Sequence, residues 1–266
     1  MMRRDSSTVE PGDVIVGMRP STAVEPASVA EAAETMRALA VDRLAVAFVG
    51  GGTDLELGAA PARLDVVLRT RRLARIREHA PSDQIVAVEG GMTVAALQRA
   101  VAPHGQRLAL DPPDPERATG GGVVAANAFG PRRTRHGAVR DLVIGATLVR
   151  ADGVVAHGGG KVVKNVAGFD LPRLLCGSLG TLGLVAEVVF RLHPLPEASG
   201  TAVFEGLAGV DVREAVPALR ELAVEPAALA AFSDGTRYRL AVRFEGFAPG
   251  VQGQLERVLA RAGGGA

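Results

Sequence analysis

Cysteine and the large aromatic residues are scarce in this 266-residue sequence, which contains one Cys, no Trp and one Tyr. The single Cys176 excludes an internal disulfide framework and a zinc or iron–sulfur site built from several cysteines. The five His residues, at positions 79, 104, 136, 157 and 193, lack the paired spacing of a metal site. We therefore expect no metal, and a reducing compartment, by default the cytoplasm.

An excess of one charge and long apolar runs are also missing. Lys and Arg number 30 against 29 Asp and Glu, and the net charge of +1 argues against a dedicated nucleic-acid or polyanion binder. Two local basic clusters, Arg69–Arg77 and Arg132–Arg140, are interpreted as solvated surface. No window approaches eighteen uninterrupted apolar residues, and the first residues carry charge without an apolar segment behind it. We expect neither a membrane span nor an export signal.

Glycine, in contrast, is abundant at 33 residues and is concentrated in three clusters. The first is Gly50-Gly51-Gly52-Thr53, the second is Thr119-Gly120-Gly121-Gly122, and the third comprises Gly177, Gly180 and Gly183 within Gly158–Phe190. Glycine at such spacing permits positive φ and brings bare backbone N–H groups close to a bulky, anionic group. We hypothesise that the three loops wrap one ligand, and the alternative is that each loop is a plain turn.

Apolar periodicity and turn residues predict the elements around these clusters. Ser28 and Glu31 form a capping-box sequence for a helix that precedes a strand over Leu44–Val49, and this strand runs into the first glycine cluster. A second helix is predicted from Val94 to Ala102, with Thr93 as its N-cap and Gly105 just beyond its end. One or two helical turns over Val123–Ala128 would point their first N–H groups toward the second cluster. Further strands are predicted at Val14–Met18, Asp65–Leu68, Ile85–Glu89, Leu142–Arg150, Val154–His157 and Leu184–Leu192. The strands Leu142–Arg150 and Val154–His157, joined by Ala151-Asp152-Gly153, are expected to form a hairpin.

From about residue 200 the pattern changes to that of a separate, smaller domain. The predicted order is strand Thr201–Leu207, helix Val210–Ala223, strands Ala228–Ser233 and Thr236–Phe244, and helix Val251–Arg261. This β-α-β-β-α order is most of a ferredoxin-like half-sandwich without its sixth strand. We therefore predict a short, incomplete ferredoxin-like cap.

The two common nucleotide-binding loops do not match the glycine clusters. A Rossmann fingerprint needs G-x-G-x-x-G between a strand and a helix, whereas Gly177, Gly180 and Gly183 have a different spacing and open into a strand. A Walker A loop needs Ser or Thr after its Lys, and Val162 follows Lys161. The sequence therefore predicts neither of these two nucleotide-binding folds.

The order of the motifs along the chain resembles that of a known family of flavoproteins. Val49–Thr53, Asp111–Gly122 with Asn127, Lys164–Leu171 and Gly177–Gly183 together resemble the PCMH-type FAD-binding domain of the vanillyl-alcohol-oxidase flavoproteins. The variant Gly130-Pro-Arg-Arg133 and the block GGKVVKNVAGFDL are most similar to the branch that contains the FAD-binding subunit of bacterial glycolate oxidase. The resemblance implies an α+β fold, with a disordered N-terminus over residues 1–13, a two-subdomain FAD-binding domain over 14–198, and a truncated α/β cap over 199–266.

The resemblance also implies which residues hold FAD. The first two loops would bind the pyrophosphate and the third would lead to contacts with adenine. Asp141 is a further candidate, with a turn-capping carboxylate as the alternative. The implied residues are Gly50, Gly51, Gly52, Thr53 and Asp54 in the first loop, Thr119, Gly121, Gly122 and Asn127 in the second, and Gly180, Gly183 and Val185 in the third.

Some members of this family attach the flavin through His or Cys. Here the first loop has no His, and Cys176 is interpreted as a small buried hydrophobe, so we expect noncovalent FAD. Phe169 stands where the family commonly has Tyr, which weakens any proton relay at that position. His136 could lie near the flavin, although a solvated loop His is the preferred interpretation, and no residue is assigned as catalytic acid or base.

These features together predict an FAD-dependent oxidoreductase subunit of a glycolate oxidase-like complex that oxidises a 2-hydroxy acid. The expected partners are a larger catalytic flavoprotein and an iron–sulfur subunit, with the complex cytoplasmic or peripheral to the inner membrane through those partners. Two alternatives stay open. One is a free-standing FAD-dependent 2-hydroxy-acid dehydrogenase, and the other is a flavin-binding scaffold without redox function.

Overall fold

The computed structural model describes residues 6–160 and 169–263. The block Lys164–Gly168 of the family-specific motif therefore lies outside the described residues. The strands are β1 (Ser6–Ser7), β2 (Thr22–Val24), β3 (Val46–Val49), β4 (Val66–Arg69), β5 (Ile76–Ala80), β6 (Ile85–Glu89), β7 (Gln106–Arg107), β8 (Val143–Val149), β9 (Val155–Gly159), β10 (Leu184–Arg191), β11 (His193–Pro194), β12 (Ala198–Leu207), β13 (Ala228–Ser233) and β14 (Tyr238–Gly246). The helices are α1 (Val29–Val41), α2 (Val94–Val101), α3 (Gly120–Ala126), α4 (Arg133–His136), α5 (Val139–Leu142), α6 (Leu171–Leu175), α7 (Gly209–Glu221) and α8 (Ala248–Gly263).

The chain divides into two compact units. The first unit comprises Met1–Phe129 and Ala138–His193, and the second comprises Gly130–Gly137 and Pro194–Ala266. The predicted domain bounds at residues 14–198 and 199–266 stay a prediction. The membership of Gly130–Gly137 in the second unit has no counterpart in the sequence pattern, because it depends on side-chain contacts that are distant along the chain.

A four-stranded sheet of order β1-β2-β4-β3 carries the first glycine loop. Strands β2, β4 and β3 are parallel, and helix α1 packs its apolar face on this sheet through Met36 and Leu39. The predicted helix start is confirmed, because the Ser28 side chain accepts a hydrogen bond from the Glu31 N–H at 3.1 Å. The Glu31 carboxylate reaches Ala27 rather than Ser28, at 2.7 Å, so the capping box closes one residue earlier than its sequence pattern predicts.

A five-stranded antiparallel sheet of order β5-β6-β10-β8-β9 carries the other two loops. Its core face packs against α2 and α3 through Phe190, Leu97 and Val124, all fully buried. The predicted helix after Thr93 is confirmed, and Gly105 follows its end with φ 68°. The predicted hairpin of β8 and β9 is confirmed as well. Strand β5, which the basic composition of Arg69–Arg77 conceals, pairs with β6.

The N-terminal residues differ from their prediction. The expectation of disorder over 1–13 does not hold for residues 6–13, where β1 pairs with β2 and Pro11–Asp13 forms a 3₁₀ turn. Asp13 is 2% exposed and accepts a hydrogen bond from Arg69 Nε at 2.9 Å. This buried ion pair ties the segment down and also removes Arg69 from the predicted solvated surface. The predicted strand at Val14–Met18 is instead a tight turn closed by an Ile15–Met18 bridge.

The second unit is a three-stranded antiparallel sheet of order β12-β14-β13 with α7 and α8. Its core includes Leu219, Val242, Phe244 and Val258. The predicted element order is confirmed, and the ferredoxin-like topology of a cap stays a prediction. Within the part of the chain that the structure describes, no helix is long and apolar enough to cross a membrane.

Candidate functional site

The first two glycine loops of the first unit pack directly on each other. A Cβ added at Gly50 would overlap Oγ1 of Thr119, and a Cβ at Gly51 would overlap the carbonyl oxygen of Arg117. Both positions therefore require glycine for close approach rather than for positive φ: Gly50 packs against the Thr119 side chain, and Gly51 against the Arg117 backbone. Arg117 reinforces the contact, because its Nη2 donates to the Gly51 carbonyl at 3.0 Å.

The third loop packs on the end of α3. The N–H groups of Gly177 and Leu179 donate to the carbonyls of Val124 and Ala125 at 3.0 and 2.8 Å. A Cβ added at Gly180 would lie 3.3 Å from Phe48 of β3. The structure thus brings together all three clusters that the sequence singles out.

The first loop offers unpaired backbone donors. It follows β3 directly, and among the described residues the N–H groups of Gly50 to Asp54 have no hydrogen-bond acceptor. Residues 50–53 are half-buried and Asp54 is exposed. Backbone N–H groups without an acceptor in the protein bond to water or to a ligand, so this run of donors can bind an external acceptor. Because a trans peptide holds its C=O and N–H on opposite sides, the Arg117 bond to the Gly51 carbonyl turns the Gly52 N–H away from the guanidinium.

The backbone N–H groups of the second loop, predicted to point toward the ligand, have acceptors within the protein. Thr119 caps α3, and its hydroxyl accepts the Gly122 N–H at 3.3 Å. The N–H of Gly120 donates to Met92 O and that of Gly121 to Gly90 O, at 2.8 and 2.7 Å. The first N–H groups of α3 therefore already have acceptors within the protein, unlike those of the first loop.

Three cavities adjoin the first loop, and Gly50 lines all of them. The three-loop cavity, of about 480 Å³, is lined by residues of all three loops together with Phe48 and Gly58. A small pocket of about 70 Å³ lies beside Gly121, Gly183 and Val185. The N-terminal cavity, of about 1080 Å³, is lined by the first loop, residues of the 10–17 segment, Arg69 and Arg71.

Most of the predicted site residues line these cavities, and two do not. Asn127 ends α3 with φ 53°, and its buried Oδ1 has no hydrogen-bond partner within the described chain. Asp141 is exposed and accepts the Ala138 N–H at 2.8 Å, so its carboxylate caps α5. The lining residues are Gly50, Gly51, Gly52, Thr53, Asp54, Thr119, Gly122 and Gly180 in the three-loop cavity, and Gly121, Gly183 and Val185 in the small pocket.

The basic side chains on the wall of the N-terminal cavity form ion pairs with acidic side chains of the protein. Arg69 pairs with Asp13, and Arg71 donates to Glu10 and Glu25 at 2.9 to 3.2 Å. The hydrogen bond from Arg69 lowers the pKa of Asp13, so this carboxyl is ionised at neutral pH. The sequence pattern did not identify Arg69, Asp13 or Arg117 as site residues, since each is defined by a partner far away in the chain.

Titratable groups suited to proton transfer are sparse around the loops. Of the described residues that line the three-loop cavity, one is titratable, Asp54. Its carboxylate accepts a hydrogen bond from Thr53 at 2.7 Å. His136 lies in α4 of the second unit. Burial raises the pKa of the Cys176 thiol to about 11, and its Sγ donates to Pro172 O at 3.4 Å. Over residues 6–160 and 169–263, no group of three His, Cys, Asp or Glu residues is arranged to hold a metal ion.

The sequence is similar to those of two glycolate oxidase subunits and a D-lactate dehydrogenase. Glycolate oxidase subunit GlcD of Bacillus subtilis is 33% identical over 190 residues, which cover 71% of this chain and 40% of that protein. Glycolate oxidase subunit GlcE of Escherichia coli is 36% identical over 147 residues, 55% of this chain and 41% of that protein. D-lactate dehydrogenase of Archaeoglobus fulgidus is 40% identical over 147 residues, 54% of this chain and 32% of that protein. The chain spans about two fifths or less of the length of these relatives.

The fold is also similar to known structures. Alkyldihydroxyacetonephosphate synthase superposes with a TM-score of 0.79 at 19% identity, covering 94% of this chain and 52% of that protein. Berberine bridge enzyme from Eschscholzia californica superposes with a TM-score of 0.71 at 19% identity, covering 92% of this chain and 50% of that protein. At this identity the likeness concerns the fold alone, and it confirms the predicted α+β class.

The residues present fit FAD as the cofactor. Its pyrophosphate carries about two negative charges, which match a run of unpaired N–H donors in a site without a Walker A lysine. The sequence of residues 20–159 matches the FAD binding domain family, which confirms the resemblance predicted from the motifs and the cofactor it implies. This chain therefore belongs to the FAD binding domain family.

Proposed function

We propose that the protein is an FAD-dependent oxidoreductase and acts as the FAD-binding subunit of a glycolate oxidase-like complex that oxidises a 2-hydroxy acid. The observation that carries the proposal is the run of unpaired N–H groups at Gly50–Asp54 on the wall of a cavity shared by three glycine loops. The names of two relatives, both glycolate oxidase subunits, support the substrate class and the assembly.

Each loop has a distinct part in this proposal. The first loop donates hydrogen bonds to the pyrophosphate, and Arg117 fixes the orientation of its Gly51 carbonyl. The second loop, with its helix N–H groups already paired, shapes the floor through Gly121 and Gly122. The third loop, through Gly180, Gly183 and Val185, closes the adenine end.

The chain's own groups bind and orient the cofactor, and they leave proton transfer to another subunit. When bound, FAD supplies the acceptor for the two electrons released by oxidation of the hydroxy acid. A base must also take the substrate's hydroxyl proton. Among the described residues, the one titratable residue that lines the three-loop cavity is Asp54, which accepts a hydrogen bond from Thr53 beside the proposed pyrophosphate donors. We place the base in a larger catalytic flavoprotein partner, with an iron–sulfur subunit as electron acceptor and the complex in the cytoplasm or attached to the inner membrane.

A second candidate function is a free-standing FAD-dependent 2-hydroxy-acid dehydrogenase. It is favoured by the 40% identity to a protein named D-lactate dehydrogenase. In this case the isolated chain would reduce its flavin with a hydroxy acid and would need no partner.

The visible spectrum of the purified chain tests both. We expect flavin absorption after addition of FAD, no bleaching by glycolate or D-lactate alone, and bleaching by glycolate once the partner subunits are added. Bleaching of the isolated chain would favour the second candidate. Failure to bind FAD at all would overturn the proposal, and bound FAD that no combination of partners and substrate reduces would indicate a scaffold.

A further inference from the structure

Leu179 has an unfavourable backbone conformation in the third glycine loop. Its φ is 51°, in the left-handed region that a branched side chain rarely adopts. Its neighbours Gly177 and Gly180 have φ values of 81° and 74°, which glycine adopts without a steric penalty. Leu179 is therefore the exception in a loop otherwise built from the residue that suits this conformation.

The backbone contacts of the loop do not require leucine. The Leu179 N–H donates to Ala125 O at 2.8 Å and so satisfies one of the last carbonyls of α3. Glycine or asparagine would make the same bond with less strain, as they do at many helix ends. The reason for leucine must then lie in its side chain.

The Leu179 side chain lies on the wall of the three-loop cavity. Leu179 lines both this cavity and the small pocket, and it is 45% exposed. Its Cδ1 faces Gly58, where an added Cβ would lie 3.2 Å away. Gly58 belongs to the segment that follows the first loop, so Leu179 links the third loop to the first across the cavity.

We infer that Leu179 is a positioning residue, a strained apolar clasp that closes the three-loop cavity and slows the loss of its occupant. The inference rests on the proposed function, since the occupant is FAD. Residues kept in a costly conformation concentrate at ligand clamps, where the side chain has a task that the relaxed residue cannot perform. The clasp predicts opposite effects of one substitution on stability and on retention of FAD.

Two variants separate strain from closure. Leu179→Asn keeps similar bulk and tolerates the left-handed conformation, and Leu179→Ala keeps the strain but removes the clasp. We expect the dissociation constant for FAD, measured by quenching of flavin fluorescence, to rise about tenfold in both variants, mainly through faster release. We expect the melting temperature of the cofactor-free Leu179→Asn protein to be unchanged or about 1–4 °C higher.

Gln84→Gly is the matched control. Gln84 also has positive φ, at 55°, in the same unit, but lines none of the three cavities. It should bind FAD like the wild type. If the wild type binds FAD and both Leu179 variants release it at the wild-type rate, the clasp is wrong while the proposed function stands. A fall in melting temperature of Leu179→Asn in step with its loss of FAD would assign Leu179 to ordinary packing and also overturn the clasp. If the wild-type protein binds no FAD, the proposed function is overturned, and the clasp with it.

Discussion

Gly51 and Arg117 hold the first two glycine loops together through two contacts. The Arg117 Nη2 donates to the Gly51 carbonyl at 3.0 Å, and the Gly51 Cα faces the Arg117 carbonyl so closely that a Cβ would overlap it. The first contact orients a peptide, and the second excludes every side chain at residue 51. Two separate predictions follow from the pair, one for each residue.

Gly51→Ala should separate the two loops. The new methyl group must displace the Arg117 backbone, which we expect to destabilise the fold by about 1–3 kcal/mol. The affinity for FAD should fall at least tenfold, about 1.4 kcal/mol, because the donors of the first loop move. Titration with FAD and thermal melting measure the two effects. Gly253→Ala in α8, with nothing within 4 Å of its added Cβ, is the control and should bind FAD normally. Normal affinity in Gly51→Ala would contradict the packing of the loops as a requirement for the cofactor.

Arg117→Gln should weaken FAD binding while the fold stays intact. The side chain is largely exposed, so little stability depends on it, but loss of its charged hydrogen bond frees the peptide between Gly51 and Gly52. We expect about a fivefold rise in the dissociation constant with an unchanged melting temperature. Arg150→Gln, which removes an equally exposed arginine paired with Asp152, should change neither quantity. If the two variants have the same dissociation constant for FAD, Arg117 does not contribute to binding of the cofactor.

Asp13→Asn should destabilise the protein in a pH-dependent way. Removing the buried carboxylate leaves Arg69 with Glu10, at 3.1 Å, as its nearest remaining acidic partner, and Glu10 is half exposed. We expect this change to cost up to about 3 kcal/mol near pH 7. Because Arg69 lowers the pKa of Asp13, the stabilisation is fully present above the ordinary carboxyl pKa of about 3.9 and is lost as pH falls through the lower folded value. The difference in unfolding free energy between wild type and variant should therefore be largest at pH 6–8 and narrow below about pH 4.

Urea unfolding at a series of pH values measures this difference. Glu205→Gln, which removes an exposed partner of Arg239, serves as the control and should show almost none. A constant gap between wild type and Asp13→Asn down to pH 2 would show that Asp13 does not act through its charge.

Cys176 should be unreactive, and the flavin should be free of any covalent bond to it. Since burial raises the thiol pKa to about 11, the thiolate needed for attack is rare at pH 8, and alkylation by iodoacetamide should be about a hundredfold slower than after unfolding. Acid precipitation should release all flavin into the supernatant, from wild type and from Cys176→Ser alike. A yellow pellet in the wild type that disappears in Cys176→Ser would contradict noncovalent binding.

The sequence by itself predicted the parts of this protein that depend on local rules. Glycine clusters at the ends of predicted strands, the caps at Ser28 and Thr93, and the hairpin of β8 and β9 follow from neighbours in the chain. The spacing of the third cluster argued against a Rossmann loop, and Val162 after Lys161 argued against a Walker A loop. The motif order pointed to the FAD binding domain that the family match confirms.

Only the tertiary structure decided which of these groups are available to a ligand. The N–H groups at the start of α3 looked free in the sequence and are paired to Met92 and Gly90, whereas those of Gly50–Asp54 are not. The burial of Asp13 with Arg69, the contact of Arg117 with Gly51 and the position of Leu179 against Gly58 each join residues far apart along the chain. Local propensity cannot encode such contacts, because they exist only once the two sheets of the first unit have packed and the loops between them have met.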